Sequence, residues 1–434
     1  MLISLLDISK PGDNKDYNGG FGTTFSIGNS FKSKLLKLAR KKGENIPLIT
    51  LAYLSAIFKK NEHQVILDSN HINKDADIII LLPSLIRFQE ECETLKKIPE
   101  ITKAHSIVLG PLVSAIPERY DNLADTVITG EPETFFEHVK NMSDIPTGRV
   151  ISKQVEDLNQ LAFPDWTLFN YKEFTQSPIF KKSPTVFIQG SRSCPYTCNY
   201  CPYIANDSKY RRRTIENVLA ELNELKEKYK FKAVMFRDPV FTMNRKWTVE
   251  LCQAIIDEGL IFEFGCETRT DRLDEELLSL MYKAGFRAIK IGVESPEIEV
   301  LKKYKRKAPD QLHQEEIVSF AEKLGIRVIA FYILGLPDDN KESMQNTLDY
   351  SINLKTSLAN FTICTPIPGT EFYDLNKEKI IDTNLNKYDN FHSVLKLEHL
   401  SAKEVEDFQD YALTSYYFRF NFLISYLKNK FLRD

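Results

Sequence analysis

The chain has 434 residues, 43% of them hydrophobic and 27% charged, with a formal net charge of -3. That length exceeds what one hydrophobic core usually serves, so two or more domains are expected. The faintly acidic balance excludes a general nucleic-acid binder, which needs a basic face, and no stretch approaches the ~20 apolar residues of a membrane-spanning helix.

The opening MLISLLDISKPGDN has a short apolar run, no basic leader and no small-residue cleavage site, so it reads as a first strand and not a signal peptide. Strands are predicted at Leu2 to Leu6, Gln64 to Leu67, Asp77 to Leu82, Ser106 to Leu109 and Thr126 to Ile128, and residues Pro47 to Lys59 carry apolar side chains at helical spacing. Short apolar strands separated by helical crossovers imply an α/β unit over 1–148 with a doubly wound, flavodoxin- or Rossmann-like parallel sheet. Such sheets bind ligands beyond the carboxyl ends of their strands. Here those ends carry Asp7-Ile8-Ser9, Ser84, Gly110 and Gly130-Glu131, the candidate cofactor contacts of this unit.

Residues 149–182, including LNQLAFPDWTLFNYKEF, lose the periodicity and read as an ordered linker. A second alternation fills 183–375: VFIQG, AVMFRD, FEFGCE, AIKIGVE, VIAFYILG and FTICTP are strand-like, with helical stretches between them such as Thr214 to Tyr229, Asp274 to Ala284 and Asp310 to Leu324. Six such units predict a partial (β/α)6 barrel of TIM type, open because two repeats are missing, with chemistry at the carboxyl ends of its strands. Residues 376–434 read as a helical extension, in which Ser401-Ala402-Lys403-Glu404 is a capping box. The final stretch, YYFRFNFLISYLKNKFLRD, interleaves aromatic and basic residues and fits a packed helix or one that touches a membrane surface.

The seven cysteines are an odd number without a secretion signal, which points to reduced thiols and a cytoplasmic location. Three of them, Cys194, Cys198 and Cys201, stand within eight residues as C-x3-C-x2-C. The prolines and polar residues around them argue against three core thiols. A structural zinc needs four ligands, usually in two pairs, and no second pair exists here. An iron-sulfur cluster takes one thiolate per iron, so three closely spaced cysteines can hold three corners and leave the fourth iron open.

Three thiolates on the loop after the first strand of a strand-helix repeat, with Tyr200 before the last, resemble the radical S-adenosylmethionine enzymes. The stretches PTVFIQGSRSCPYTCNYCPY, CETRTDRLDEELLSLMYKAGFRAIKIGVES and IRVIAFYILGLPDD are similar to the subgroup with an N-terminal cobalamin-binding domain. The likeness extends through IPLITLAYLSAIFKKNEHQVILDSN, TGEPET and LAFPDW. It implies that Cys194, Cys198 and Cys201 hold a 4Fe-4S cluster, whose open iron chelates S-adenosylmethionine. It places Tyr200 near the adenine, and Asp238, Glu294, Gly335 and Pro366 at cosubstrate contacts. Glu267 and Arg269 would face cosubstrate or substrate.

Cobalamin is the further cofactor implied, although LDISKPGDN lacks the histidine that cobalamin modules place after their first strand. The activity implied is methyl transfer from methylcobalamin to an unactivated carbon, or to phosphorus, by way of a 5'-deoxyadenosyl radical. The substrate would be a small or lipid-like molecule, and the electron donor a flavodoxin or ferredoxin. The rival readings are a radical cyclisation, rearrangement or oxidation without methyl transfer, and a non-catalytic metal-binding or redox-sensing protein.

Overall fold

The computed structural model describes residues 1–24, 30–40, 44–45, 48–204, 209–420 and 422. Its first sheet has six parallel strands: β1 (Leu2–Asp7), β2 (Gln64–Ser69), β3 (Ile78–Leu81), β4 (His105–Leu109), β5 (Thr126–Gly130) and β6 (Gly148–Ser152). They lie in the order β2-β1-β3-β4-β5-β6. Alternate side chains go to opposite faces, as the pleat requires. Ile78 and Ile80 pack with Leu51, Leu54 and Phe58 of helix Ile49–Lys60. Ile79 and Leu81 pack with Leu95 and Ile98 of helix Phe88–Ile101. Burial on both faces explains why IIIL and HSIVL read as near-continuous apolar runs. β6 falls where the sequence pattern was assigned to the linker from residue 149; as an exposed edge strand with Ile151 turned to solvent, it lacks that signature.

The second sheet runs in chain order: β7 (Thr185–Ile188), β8 (Ala233–Phe236), β9 (Glu263–Thr268), β10 (Phe286–Glu294), β11 (Arg327–Leu334) and β12 (Leu358–Ile363). All neighbours are parallel, and β7 and β12 do not pair, so the barrel is an open arc. Local signals set the crossovers. Asp274 and Asp310 cap the helices Glu275–Ala284 and Gln311–Leu324 by accepting from Leu277 and His313 N–H, and Gly285 and Gly325 end them in the left-handed region.

The capping box at Ser401 and Glu404 forms as predicted and starts helix Ala402–Tyr417. That helix covers the free edge of β12. Gln409 donates to the Phe361 carbonyl at 2.9 Å, and the Tyr417 hydroxyl donates to the Ala359 carbonyl at 2.6 Å and accepts its N–H at 3.1 Å. An unpaired strand edge is thereby satisfied by side chains. The aromatic-basic stretch assigned a packing or membrane role from Tyr416 onward lies mostly outside the described residues. Among those described, no helix is long and apolar enough to cross a membrane.

Two glycines at the β5–β6 junction separate backbone strain from steric clash. Gly130 has φ +86° and a Cβ built on it would stand 2.2 Å from the Ser152 carbonyl oxygen, whereas Gly148 has φ +88° with open space around it. Gly130→Ala is expected to lower stability by about 1–3 kcal/mol more than Gly148→Ala, because both pay the conformational strain and only the first collides. Urea or thermal unfolding of the two variants measures the difference.

Candidate functional site

The loop that follows β7 carries the three cysteines, and it is irregular, so its shape must be imposed from outside. Its stem is a two-residue antiparallel pairing of Ser191–Arg192 with Arg211–Arg212. From the N-terminal unit, Glu133 accepts from Arg192 at 2.7 Å, and Glu131 receives both Arg211 nitrogens at 2.6 and 2.8 Å. From beneath, Asp238 accepts from Gly190 N–H at 2.9 Å and from the Ser191 hydroxyl at 2.5 Å. On the far side, Asn199 N–H donates to the Tyr304 carbonyl at 3.1 Å and the Asn199 carbonyl accepts from Phe372 N–H at 3.0 Å. Tyr196 is held by the Arg269 guanidinium over its ring, 4.3 Å from the centroid, and by Arg272, which donates to its hydroxyl at 2.9 Å.

Each thiol has a donor aimed at it. Cys194 sulfur accepts from Tyr196 N–H, Cys201 sulfur from Tyr203 N–H, and Cys198 sulfur from the Arg306 guanidinium. Burial pushes the Cys194 thiol up and the Cys201 thiol up to about 12, as it does for the core thiols Cys252 and Cys266. Among the described residues no three His, Cys, Asp or Glu side chains are placed to share one metal ion. Three thiols on one loop fit an iron-sulfur cluster, which takes one thiolate per iron, whereas a structural zinc would need a fourth ligand.

Beside the loop, β10 ends in a break of register between Gly292 and Glu294, and Glu294 adopts φ +65°. A left-handed residue that is not glycine is held by its surroundings and marks a position where geometry has been imposed. Arg306 supplies the hold: it pairs with Glu294 at 3.4 Å and donates to the Gly292 carbonyl. A Cβ at residue 292 would stand 2.3 Å from the Glu294 carboxylate, so only glycine admits this approach. Burial raises the Glu294 carboxyl above its ordinary value and also pushes up the Tyr200 hydroxyl, which is buried without a partner among the described residues.

The opposite wall is a charge network that joins the two units. Arg237 pairs with Glu267 and with Asp16 at 3.4 Å, and Lys290 pairs with Glu267 at 3.5 Å. Lys290 also donates to the Tyr17 hydroxyl at 3.1 Å, and both cations lie over the Tyr17 ring, 4.6 and 4.5 Å from its centroid. Asp16 and Tyr17 come from the loop after β1 and enter the barrel mouth.

These walls enclose one cavity of about 620 Å³. Cys194, Cys198, Cys201, Tyr200, Glu267, Arg269 and Glu294 all line it. Three other residues assigned to cosubstrate contact stand back from it. Asp238 serves the loop stem, as above. Gly335, at φ +72°, lies against Val405, whose Cγ1 would be 2.7 Å from a Cβ there. Pro366 is buried between Thr365 and Ile367, which do line the cavity.

The four residues assigned to a cofactor at the ends of the first sheet each touch protein as well. Ser84 donates from its N–H to Glu91 at 2.8 Å, and a Cβ on Gly110 would meet Leu82 at 2.5 Å. Gly130 abuts Ser152, and Glu131 belongs to the arginine clamp. The loop after β1 folds back over part of this edge, where Gly22 lies against Ser84 and Gly20 against Pro111. Its Lys15 fills the crevice between β1 and β3, ion-paired with Asp7 at 2.9 Å and Glu91 at 2.7 Å. Sequence reasoning missed Arg306, Arg237, Lys290 and Tyr17; a lysine at an inward position of the apolar strand AIKIGVE was the signal available for one of them.

Comparison with known proteins bears on this geometry. Residues 188–351 match the Radical SAM superfamily, and this part of the chain is a radical SAM domain. The chain is 24% identical over 423 residues to an uncharacterized methyltransferase of Pyrococcus horikoshii, covering 89% of this chain and 91% of the relative. It is 25% identical over 295 residues to the anaerobic magnesium-protoporphyrin IX monomethyl ester cyclase of Rubrivivax gelatinosus, covering 67% of this chain and 52% of the relative. It is 29% identical over 227 residues to the cytidylyl-2-hydroxyethylphosphonate methyltransferase of Streptomyces wedmorensis, covering 50% of this chain and 42% of the relative. Thus it spans about half the length of the last two. Its fold is that of the radical S-adenosylmethionine methyltransferase TsrM from Kitasatospora setae, solved with cobalamin and a [4Fe-4S] cluster (TM-score 0.64, 15% identity, 87% of this chain and 78% of that chain).

The Asp238 contacts make its role pH-dependent. Burial pushes its carboxyl from 3.8 up to about 6. A folded value above the unfolded one gives stability that is present at low pH and lost as pH rises through the folded value. Relative to Asp238→Asn, which does not titrate, the protein is expected to lose about 2 kcal/mol between roughly pH 4.5 and pH 7. Urea midpoints of both proteins at the two pH values test this; a constant difference contradicts it.

Proposed function

We propose that this radical SAM protein is an enzyme that transfers a methyl group from cobalamin to an unactivated carbon, or to phosphorus, of a small-molecule substrate. The observation that carries the reading is that three thiols on one loop share a single cavity with the Glu294–Arg306 pair and with a wall contributed by the N-terminal unit. Cys194, Cys198 and Cys201 would hold the 4Fe-4S cluster, which supplies one electron to the sulfonium of S-adenosylmethionine. Glu294 would accept from the cosubstrate's hydroxyl or ammonium donors, with Arg306 fixing its carboxylate. Arg269, paired with Asp271 at 2.8 Å and stacked on Tyr196, keeps that side of the loop in place. Tyr200, whose hydroxyl is without a partner among the described residues, would lie near the adenine.

Cobalamin, which supplies the methyl group when bound, fits the face of the cavity built by Pro11, Gly12, Asn14, Asn18 and Thr23. There the Asn18 side-chain nitrogen is buried with no hydrogen-bond partner among the described residues, a donor left over for a ligand. The crevice between β1 and β3 does not fit it, because Lys15 occupies that space. An acidic one-electron carrier such as flavodoxin or ferredoxin would serve as reductant, and seven free thiols suit a reducing cytoplasm. The match to a cyclase keeps a radical cyclisation as the second reading.

Anaerobic reconstitution with iron and sulfide should give a cluster that cleaves S-adenosylmethionine, and Cys194→Ala, Cys198→Ala or Cys201→Ala should each abolish cleavage while Cys252→Ala does not. Turnover with substrate should release S-adenosylhomocysteine beside 5'-deoxyadenosine. Release of 5'-deoxyadenosine alone would favour the cyclisation reading, and an inert zinc-bearing protein would overturn both.

A further inference from the structure

A parallel barrel is normally filled by layers of inward side chains. Strand register lets the layers of this one be read directly. Glu267, Lys290, Ile329 and Leu358 are successive partners across β9, β10, β11 and β12. Gly292, Phe331 and Asn360 form the next layer, and Ile333 with Thr362 the one above. All nine residues line the cavity. The layers are therefore split lengthwise into two chemically different halves.

On β8–β10 the wall is charged but self-neutralised: Lys290 and Arg237 both pair with Glu267, and Arg237 also with Asp16. Among the described residues each buried cation there has an acidic partner, so the wall does not call for an anionic substrate. On β11–β12 the wall is apolar. Ile329, Phe331, Ile333 and Leu358 form it, and Ile179 extends it at the lower end, where its carbonyl accepts from Arg327 at 2.8 Å. Phe331 and Ile333 are only half-buried, although Ala330, Tyr332 and Leu334 between and beside them are fully covered. The exposed apolar surface thus faces the cavity and not solvent. Two polar groups interrupt it: the Thr362 hydroxyl, which donates to the Tyr332 carbonyl at 3.1 Å, and the Asn360 side-chain amide, which has no hydrogen-bond partner among the described residues.

We propose that the substrate is an elongated apolar molecule, a prenyl-type or alicyclic hydrocarbon skeleton, with one hydroxyl or carbonyl. The skeleton lies along Ile329, Phe331, Ile333 and Leu358, and the polar group meets Asn360. This rests on the methyl-transfer reading only for what happens to the bound molecule. Burial of a hydrocarbon against this wall is favoured by roughly 25 cal/mol per Å² removed from water. A charged or zwitterionic substrate would leave its charges without partners there, which offsets whatever its apolar part gains.

The test uses the reconstituted full-length protein, the apolar fluorophore 1-N-phenylnaphthylamine as probe, and farnesol and L-tryptophan as competitors. The expected result is that the probe binds, farnesol displaces it and tryptophan does not. Phe331→Asn and Leu358→Asn should each weaken farnesol binding by about tenfold, the loss expected when one apolar contact is replaced by a polar one. Phe331→Leu should stay within about threefold. Circular dichroism and iron content of every variant show whether it has folded; Phe331→Leu and the competitor pair decide the matter if an asparagine variant has not. Failure of farnesol to displace the probe, displacement by tryptophan, or wild-type affinity in both asparagine variants overturns the proposal. S-adenosylmethionine cleavage is assayed on the same samples. Cleavage without farnesol binding sinks the proposal alone, and farnesol binding without cleavage sinks the methyl-transfer reading alone.

Discussion

The site depends on holding an irregular loop still. The cysteine loop has few hydrogen bonds of its own, and the one between Cys201 N–H and the Cys198 carbonyl closes only a single turn. Everything else comes from neighbours: Asp238 below the stem, Glu131 and Glu133 beside it, Tyr304 and Phe372 beyond it, and arginines at Tyr196 and Cys198. Two of these supports belong to the N-terminal sheet. Glu133 and Arg192 are both largely buried, so removing either would strand the other's charge. The first unit is thus part of the frame of the second unit's chemistry, and the sheet order that brings β5 beside the loop has a direct chemical consequence.

The same dependence appears on the other side of the cavity. A six-stranded arc cannot close on itself, and its open side needs a wall. Helix Ala402–Tyr417 seals the edge of β12, and the loop after β1 brings Asp16 and Tyr17 into the mouth. Tyr17 also packs edge-on against Phe187 of β7, with ring centroids 6.2 Å apart. A barrel with two missing repeats is completed by segments from both ends of the chain. This is why the cavity is neither a filled core nor an open trough.

Much of this was legible in the sequence where the signal was local. Runs such as IIIL and AVMF are buried on both faces and could only be central parallel strands, and Ser401 with Glu404 announced a helix start. The three cysteines stood out by their spacing alone. What stayed hidden depends on contacts far apart in the chain. Asp238 and Glu294 look alike at strand ends, yet one turns under the loop and the other to the cavity, because β10 has a register break after Gly292. Nothing near Arg306 announces its reach to Cys198. Ser84, Gly110 and Gly130 stand at strand ends as predicted, but the placement of the loop over part of that edge is a tertiary matter. The fold class rests on periodicity and survives; individual contacts rest on loop paths that periodicity does not encode.

Lys15 sits in the crevice of the first sheet, and Tyr17 sits in the barrel. Two residues apart, they are joined by about 7 Å of backbone at full stretch. That is too little slack for the backbone at one to shift far while the backbone at the other stays. The Lys15 side chain can still turn on its own four-carbon stem, so it is the loop's path, and not the ion pairs themselves, that the two sites share. One short loop therefore closes the first sheet's crevice with Lys15 and, two residues on, carries the ring on which both cations of the cavity's charged wall are stacked.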